Sequence, residues 1–110
     1  MKLDDKLFVT VLTEGGYDEN LDPIEPTETE TLFGKCFISF NSKAEKVTLN
    51  DGKEYIYSFY IIATLTKKNY PLIPREGAKI RFVKKDGTID KTMTVQGFVT
   101  LKERYLKIWV

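Results

Sequence analysis

Three sets of side chains in this 110-residue chain could carry chemistry. The first is the run from Thr13 to Thr31, TEGGYDENLDPIEPTETET, with seven acidic residues, two glycines and two prolines. Carboxylates at that density could hold a hard cation such as calcium. A dedicated calcium loop, however, places its ligands at every second position, and here Pro23 and Pro26 interrupt the series, so no metal site is expected. The second is Cys36. With one cysteine and no histidine, no zinc or copper ligand set can be assembled, and Cys36 sits in a strand-like stretch where a small buried residue is expected. No glycine-rich phosphate loop occurs, and no carboxylate pair is singled out for acid–base work; neither a cofactor nor an enzymatic activity is expected.

The third set pairs aromatic rings with cations. Tyr55, Tyr57 and Phe59 alternate along one strand face, and Lys67, Lys68, Lys79, Arg81, Lys84 and Lys85 follow. An OB-like barrel that grips single-stranded nucleic acid combines stacking rings with a basic groove, so Tyr55, Tyr57, Lys79, Arg81, Lys84 and Lys85 form an alternative nucleic-acid contact set. Against it, alternating aromatics on a central strand usually face the core, and lysines near hairpin tips are usually solvated.

The elements that must position these groups repeat with period two. Residues 6–13 (KLFVTVLT) read as a strand rich in β-branched and large apolar residues. Residues 31–40 (TLFGKCFISF) read as a second, with Phe33, Lys35, Phe37 and Ser39 on one face and Leu32, Gly34, Cys36, Ile38 and Phe40 on the other. Gly34 suggests a bulge or bend within it. A short helical turn capped by Asn41 or Ser42 is possible over 41–46. Residues 46–49 lead into Asp51-Gly52, a strong hairpin signal. Residues 54–65 (EYIYSFYIIATL) are apolar on both faces and predict one central strand rather than a helix, because β-branched and aromatic residues dominate. Pro71 and Pro74 make 67–77 a loop. Residues 78–85, the Asp86-Gly87 turn, a strand over 92–101 and a closing strand over 105–110 complete the chain. The expectation is an all-β single domain over 1–110: a small barrel or sandwich of about seven mostly antiparallel strands. Residues 13–31 would form a long N-terminal loop or projecting hairpin.

Charge divides along the chain. Residues 1–40 carry three Lys and nine Asp or Glu, a net of −6, and residues 41–110 carry fourteen Lys or Arg and seven Asp or Glu, a net of +7. A dipolar subunit of this kind can stack acidic face on basic face, unless folding interleaves the two sets. No apolar run is long enough for a membrane span, and the start MKLDDKLFVT does not read as a signal peptide. The single cysteine requires no oxidising compartment.

A polar excursion as long as 13–31 is uncommon inside a compact domain unless it binds something. Tyr17, Leu21 and Ile24 supply apolar anchors among Asp18, Glu19, Asp22 and Glu25, and Pro23 and Pro26 stiffen the segment. These seven anchoring and acidic residues are the expected partner contacts. The order of a strand, GGYDENLDPIEPTET, a long strand, then DGKEYIYSFYIIATL, PLIPREGAKIRF and a final LKIWV resembles the small head–tail joining (head-closure) proteins of tailed bacteriophages. The resemblance is one of pattern over nearly the whole chain. Leu21 departs from it, standing where a turn glycine is more usual. It implies a small β-barrel with long loops and a structural protein of a phage or prophage particle. Such a protein forms a ring that joins head to tail or closes the DNA channel. Its partners would be neighbouring copies of itself, the portal adaptor and tail proteins, with DNA at most passing through the channel and no membrane. It would reside in the host cytoplasm during assembly and then in the virion. A minor tail or tail-terminator component is a further alternative. In isolation a subunit of such a head–tail joining ring could be monomeric, with ring assembly requiring the phage particle as template.

Overall fold

The computed structural model describes residues 2–13, 15–49 and 51–110. Among the described residues nine strands run in order: β1 (Asp5–Thr13), β2 (Thr27–Phe40), β3 (Lys46–Thr48), β4 (Glu54–Ile56), β5 (Phe59–Thr64), β6 (Lys79–Val83), β7 (Asp90–Thr94), β8 (Gly97–Leu101) and β9 (Tyr105–Trp109). Seven of them form one antiparallel sheet in the order β7-β6-β1-β2-β5-β9-β8, and β3 and β4 form a separate two-stranded hairpin. The fold is all-β, as the alternation predicts, and the sheet is curled into a half-barrel.

The curl follows from connectivity. β7 and β8 lie at opposite ends of the strand order, yet only Val95 and Gln96 separate them. The Val95 N–H donates to the Ala78 carbonyl beside β6, and the next N–H, that of Gln96, donates to the Trp109 carbonyl on β9, both at 2.8 Å. One continuous stretch therefore borders both edges, which a flat sheet cannot allow. The single strand expected over 92–101 is thus two, broken where the chain changes partner. The strand expected over 54–65 also breaks, at Tyr57 and Ser58, because β4 pairs with β3 while β5 enters the main sheet between β2 and β9. Residues 41–46 hold no helical turn. The Asn41 side chain instead accepts from the Glu45 N–H at 3.0 Å and donates to the Glu45 and Tyr57 carbonyls at 2.9 and 2.8 Å, folding the segment into a loop.

The interior is filled by Leu7, Val9, Ile38, Ile61, Ile80, Phe82, Leu106, Ile108 and their neighbours. The Phe59 and Phe82 rings meet there with centroids 5.3 Å apart. Cys36 is fully buried among these side chains, and burial followed by the nearby charge of Asp5 pushes its thiol up to about 12. Asp5 is itself buried: its carboxylate accepts from the Ile38 N–H at 3.2 Å and the Lys85 N–H at 2.9 Å, stitching β2 and the β6–β7 turn to the start of β1. Two charge-assisted bonds of this kind offset the cost of burying a carboxylate.

The bulge suspected at Gly34 is present, and it reverses the expected faces of half a strand. Leu7 pairs with Gly34 but Phe8 pairs with Leu32, so Phe33 is an extra residue on β2. Gly34 has φ +155°, a conformation that side-chain-bearing residues rarely adopt. Phe33 consequently joins Cys36 and Ile38 in the core, while Leu32 is exposed.

The molecule is long for its size. Its radius of gyration is 15.8 Å and its extents are 56 × 33 × 29 Å, whereas a compact domain of this length has a radius of about 13 Å. The excess comes from the β1–β2 hairpin.

Candidate functional site

The hairpin leaves the barrel where its neighbours stop. β6 pairs with β1 only as far as Val9, and β5 pairs with β2 only from Cys36 onward. The ladder between β1 and β2 continues alone through Thr10–Glu30, Val11–Thr29, Leu12–Glu28 and Thr13–Thr27. A free two-stranded ribbon suits the threonine–glutamate alternation of 27–31, because polar residues on both faces need nothing to cover them. All four residues Thr27 to Glu30 are exposed.

A strut braces the root of this arm. The Arg81 guanidinium on β6 donates from Nε and a terminal nitrogen to both oxygens of Asp90, each at 2.8 Å. Its other terminal nitrogen donates to Glu30 Oε1 at 2.9 Å, and the group lies 5.5 Å from the centroid of the Phe8 ring. These bonds raise the Arg81 pKa, and the arginine holds Asp90 below the usual carboxylate range. The strut also joins the acidic half of the sequence to the basic half, so the two charge sets interleave at the arm's root.

At the far end the chain makes a second, smaller hairpin rather than a slack loop. Tyr17 bridges to Pro23, the Ile24 N–H donates to the Gly16 carbonyl, and the Asp18 N–H donates to the Asp22 carbonyl, both bonds at 3.0 Å. The Asp18 carboxylate closes the turn by accepting from the N–H groups of Asn20 and Asp22 at 2.9 Å. Gly15 permits this closure. A Cβ built there would lie 1.6 Å from the Ile24 carbonyl oxygen, so no larger residue fits without moving the backbone. Leu21, where a glycine is more usual, adopts φ +63°, at a cost of about 1 kcal/mol for a residue with a side chain.

The tip thus spends conformational energy to present a large apolar side chain to solvent. Leu21 is 79% exposed, Tyr17 73% and Ile24 48%, with Asp18, Glu19, Asp22 and Glu25 exposed around them. The seven residues read from the sequence as partner contacts therefore fall together on one projecting tip. The tip thus combines exposed apolar area with surrounding negative charge.

The alternative nucleic-acid set is divided. Tyr55 pairs with Val47 in the β3–β4 hairpin and is half-buried. Tyr57 is buried, and its hydroxyl donates to Glu45 Oε2 at 3.2 Å; burial and then this carboxylate raise the phenol's pKa. Lys79 and Arg81 lie on β6 in the main sheet, to which the β3–β4 hairpin does not belong, and Lys84 and Lys85 lie in the β6–β7 turn. Arg81 is already engaged by two carboxylates.

Two features escaped the sequence reading. Asn69, buried in the 65–77 loop, donates to the Phe33 carbonyl at 3.2 Å and the Thr64 carbonyl at 2.8 Å and accepts from the Thr66 N–H at 2.7 Å, tying that loop to the bulge. Beside it, Leu65, Thr66, Lys67, Tyr70, Pro71 and Glu103 line an open groove of about 610 Å³. The only sequence signal was a Tyr-Pro dipeptide following paired lysines. Among the described residues, no three His, Cys, Asp or Glu side chains gather to hold a metal ion, and no helix is long and apolar enough to cross a membrane. No family model, no curated protein and no solved structure matches the chain.

Proposed function

We propose that this protein is a non-enzymatic structural subunit of a tailed phage or prophage particle, acting in a ring that joins head to tail or closes the DNA channel. The observation that carries this reading is the arm: a braced ribbon leaving the half-barrel and ending in a folded, acidic and apolar tip. A ring of identical subunits needs unlike surfaces that meet and repeat until they close, and an arm remote from the body supplies one such surface. Neighbouring copies, the portal adaptor and tail proteins are its partners. DNA passes without being gripped, since an acidic tip facing a channel repels phosphates. Assembly takes place in the host cytoplasm, and the virion is the destination.

The test is electron microscopy of the purified protein over rising concentration, with fluorescence anisotropy of a labelled single-stranded oligonucleotide in parallel. Closed rings of fixed copy number are expected, absent when residues 15–28 are deleted, together with negligible oligonucleotide binding. A chain lacking residues 15–28 that still folds and still completes infectious particles overturns the reading. So does oligonucleotide binding that weakens with salt and is lost in Tyr55→Ala or Lys84→Ala, which establishes the nucleic-acid module instead.

A further inference from the structure

We propose that the outer face of β2, β5, β9 and β8 is the docking surface for the arm tip of a second copy of this chain, an inference that rests on the ring-subunit reading. Burial sets which side chains stand on that face. Cys36, Ile61, Ala63, Leu106 and Ile108 fill the core, so the residues next to them point outward. Phe37, Ile62, Lys107 and Val99 lie opposite one another in a single row across the four strands. Thr64, Tyr105 and Leu101 form the row beside it. Val99 is 39% exposed, Leu101 38% and Tyr105 37%, so the apolar area is open to solvent. On the other side of the first row the Phe37 and Tyr60 rings lie 6.3 Å apart, and the Lys107 ammonium sits 4.7 Å and 5.4 Å from the centroids of Tyr60 and Trp109. A face held by ladders on a packed core loses little freedom when it is covered.

The face carries charge that nothing on it cancels. Lys6 and Lys35 stand directly opposite each other across β1 and β2, and both are exposed. Like charges so placed destabilise a sheet, and an anionic partner relieves the cost. Lys107 is the third cation. Among the described residues no carboxylate forms an ion pair with any of the three, and neither row contains an acidic residue. At the border beside Phe37, Lys2, Lys84 and Lys85 balance Asp4, Asp5 and Asp86, so the face keeps its own sign.

The occupant must be acidic and must bring apolar side chains. The connections over 41–45, 49–53, 65–78, 84–89 and 102–104 are neutral or net positive. The tip, residues 15–26, carries Asp18, Glu19, Asp22 and Glu25 and no basic residue, and Tyr17, Leu21 and Ile24 are exposed on it. Its carboxylates answer Lys6, Lys35 and Lys107, and its apolar side chains answer Phe37, Ile62 and Val99. Opposite charges steer the encounter, while the covered apolar area supplies adhesion. The tip cannot serve its own body, because the β1–β2 ladder runs unbroken from Thr10–Glu30 to Thr13–Thr27 and carries it away. Single-stranded nucleic acid fits the face less well. Stacking needs bare ring faces, and here Phe37, Tyr60 and Trp109 are half-buried and Lys107 already covers two of them. The contact is heterologous: each copy offers one tip and one face, so it propagates to a ring or a chain and does not stop at a dimer.

Sedimentation velocity tests this on the wild-type chain, on Leu21→Ser, on Lys35→Glu, and on an equal mixture of the two variants. Wild type is expected to form higher oligomers, with association falling at least about tenfold between roughly 0.1 and 1 M salt, where the screening length shortens from about 10 to about 3 Å. Each variant alone is expected to be monomeric. The mixture is expected to stop at dimers, because an intact tip meets an intact face only once per pair. Lys35→Glu sets a carboxylate opposite Lys6, so its urea midpoint should equal or exceed that of wild type, which separates lost association from lost folding. A second measurement mixes Leu21→Cys with Thr64→Cys under air oxidation. Disulfide-linked dimers are expected faster than in either variant alone; native Cys36 is buried. Association that persists in Lys35→Glu overturns the face assignment and leaves the ring-subunit reading standing. A wild-type chain giving neither association nor these crosslinks overturns the tip–face contact, and the ring-subunit reading is then decided by particle assembly without residues 15–28. Binding of a labelled single-stranded oligonucleotide that is lost in Lys35→Glu also overturns the contact and gives the face to nucleic acid.

Discussion

Replacing Asn69 by alanine tests the link between the bulge and the loop that forms the groove. The substitution removes three hydrogen bonds, to the Phe33 and Thr64 carbonyls and from the Thr66 N–H. Thr66 is exposed and its N–H finds water, so that loss is small. The Phe33 carbonyl is buried beneath the bulge, and an orphaned buried acceptor costs about 1–3 kcal/mol against about 1 kcal/mol for an ordinary bond. Together the expected destabilisation is about 2–3 kcal/mol, a large part of the 5–15 kcal/mol roughly available to such a domain. Asn69→Asp is the sharper probe. It keeps the oxygen that accepts from Thr66 but sets a carboxylate oxygen against two carbonyls, which favours the protonated acid. The folded-state pKa of that aspartate is therefore raised above its unfolded value. Its stability contribution is fully present below the unfolded value of about 3.9 and is lost as pH rises through the folded value. Urea unfolding followed by fluorescence of Trp109, the single tryptophan, reads both variants. Asn69→Asp should be less stable than Asn69→Ala at pH 7, and the gap should narrow toward pH 4. An Asn69→Ala unfolding free energy within about 0.5 kcal/mol of wild type, the usual range for inert surface changes, refutes the clamp. Asn69→Asp matching Asn69→Ala at pH 7 refutes the donor geometry.

Gly15→Ala should open the tip hairpin while leaving the urea midpoint unchanged, because the tip lies beyond the core; faster cleavage after Glu19 by a glutamate-specific protease reads this, and wild-type resistance refutes it. The Cys36 thiol, buried and raised to about 12, should escape a thiol reagent at pH 8 in the native protein and react fully in urea; immediate labelling of the native chain contradicts its burial. Asp90, lowered by Arg81, contributes stability that is present above its unfolded pKa and lost as pH falls through the folded one. The difference between Asp90→Asn and wild type should therefore be visible at neutral pH and vanish in strong acid, and a difference independent of pH refutes the ion pair's role.

The sheet was legible in the sequence because its determinants are local. Alternation in 6–13 and 78–85 and the Asp-Gly turns at 51–52 and 86–87 each act over a few residues. The breaks were not legible. Nothing in Val95-Gln96 or Tyr57-Ser58 distinguishes a corner from a continuing strand, because each break is set by which distant strand supplies the next carbonyl. Gly34 hinted at the bulge, but only the pairing of Leu7 and Phe8 with residues far along the chain shows that Phe33 turns inward. The seven tip residues were recoverable because acidic and apolar side chains crowd one short segment. The groove was not, since Leu65 and Tyr70 meet Glu103 through the fold alone.

The extra residue at Phe33 has a consequence for how the arm can change over time. It separates the part of β2 whose every second side chain must fit the interior from the part that answers to no interior. Adding or removing two residues on each strand beyond Val11 and Thr29, the last pair whose apolar member packs on the core, would alter the reach by about 7 Å, at some 3.4 Å per residue, without inverting which side chains face inward. Arm length is thus a dimension that mutation can adjust independently of the body, so one barrel can be refitted to partners at different spacings.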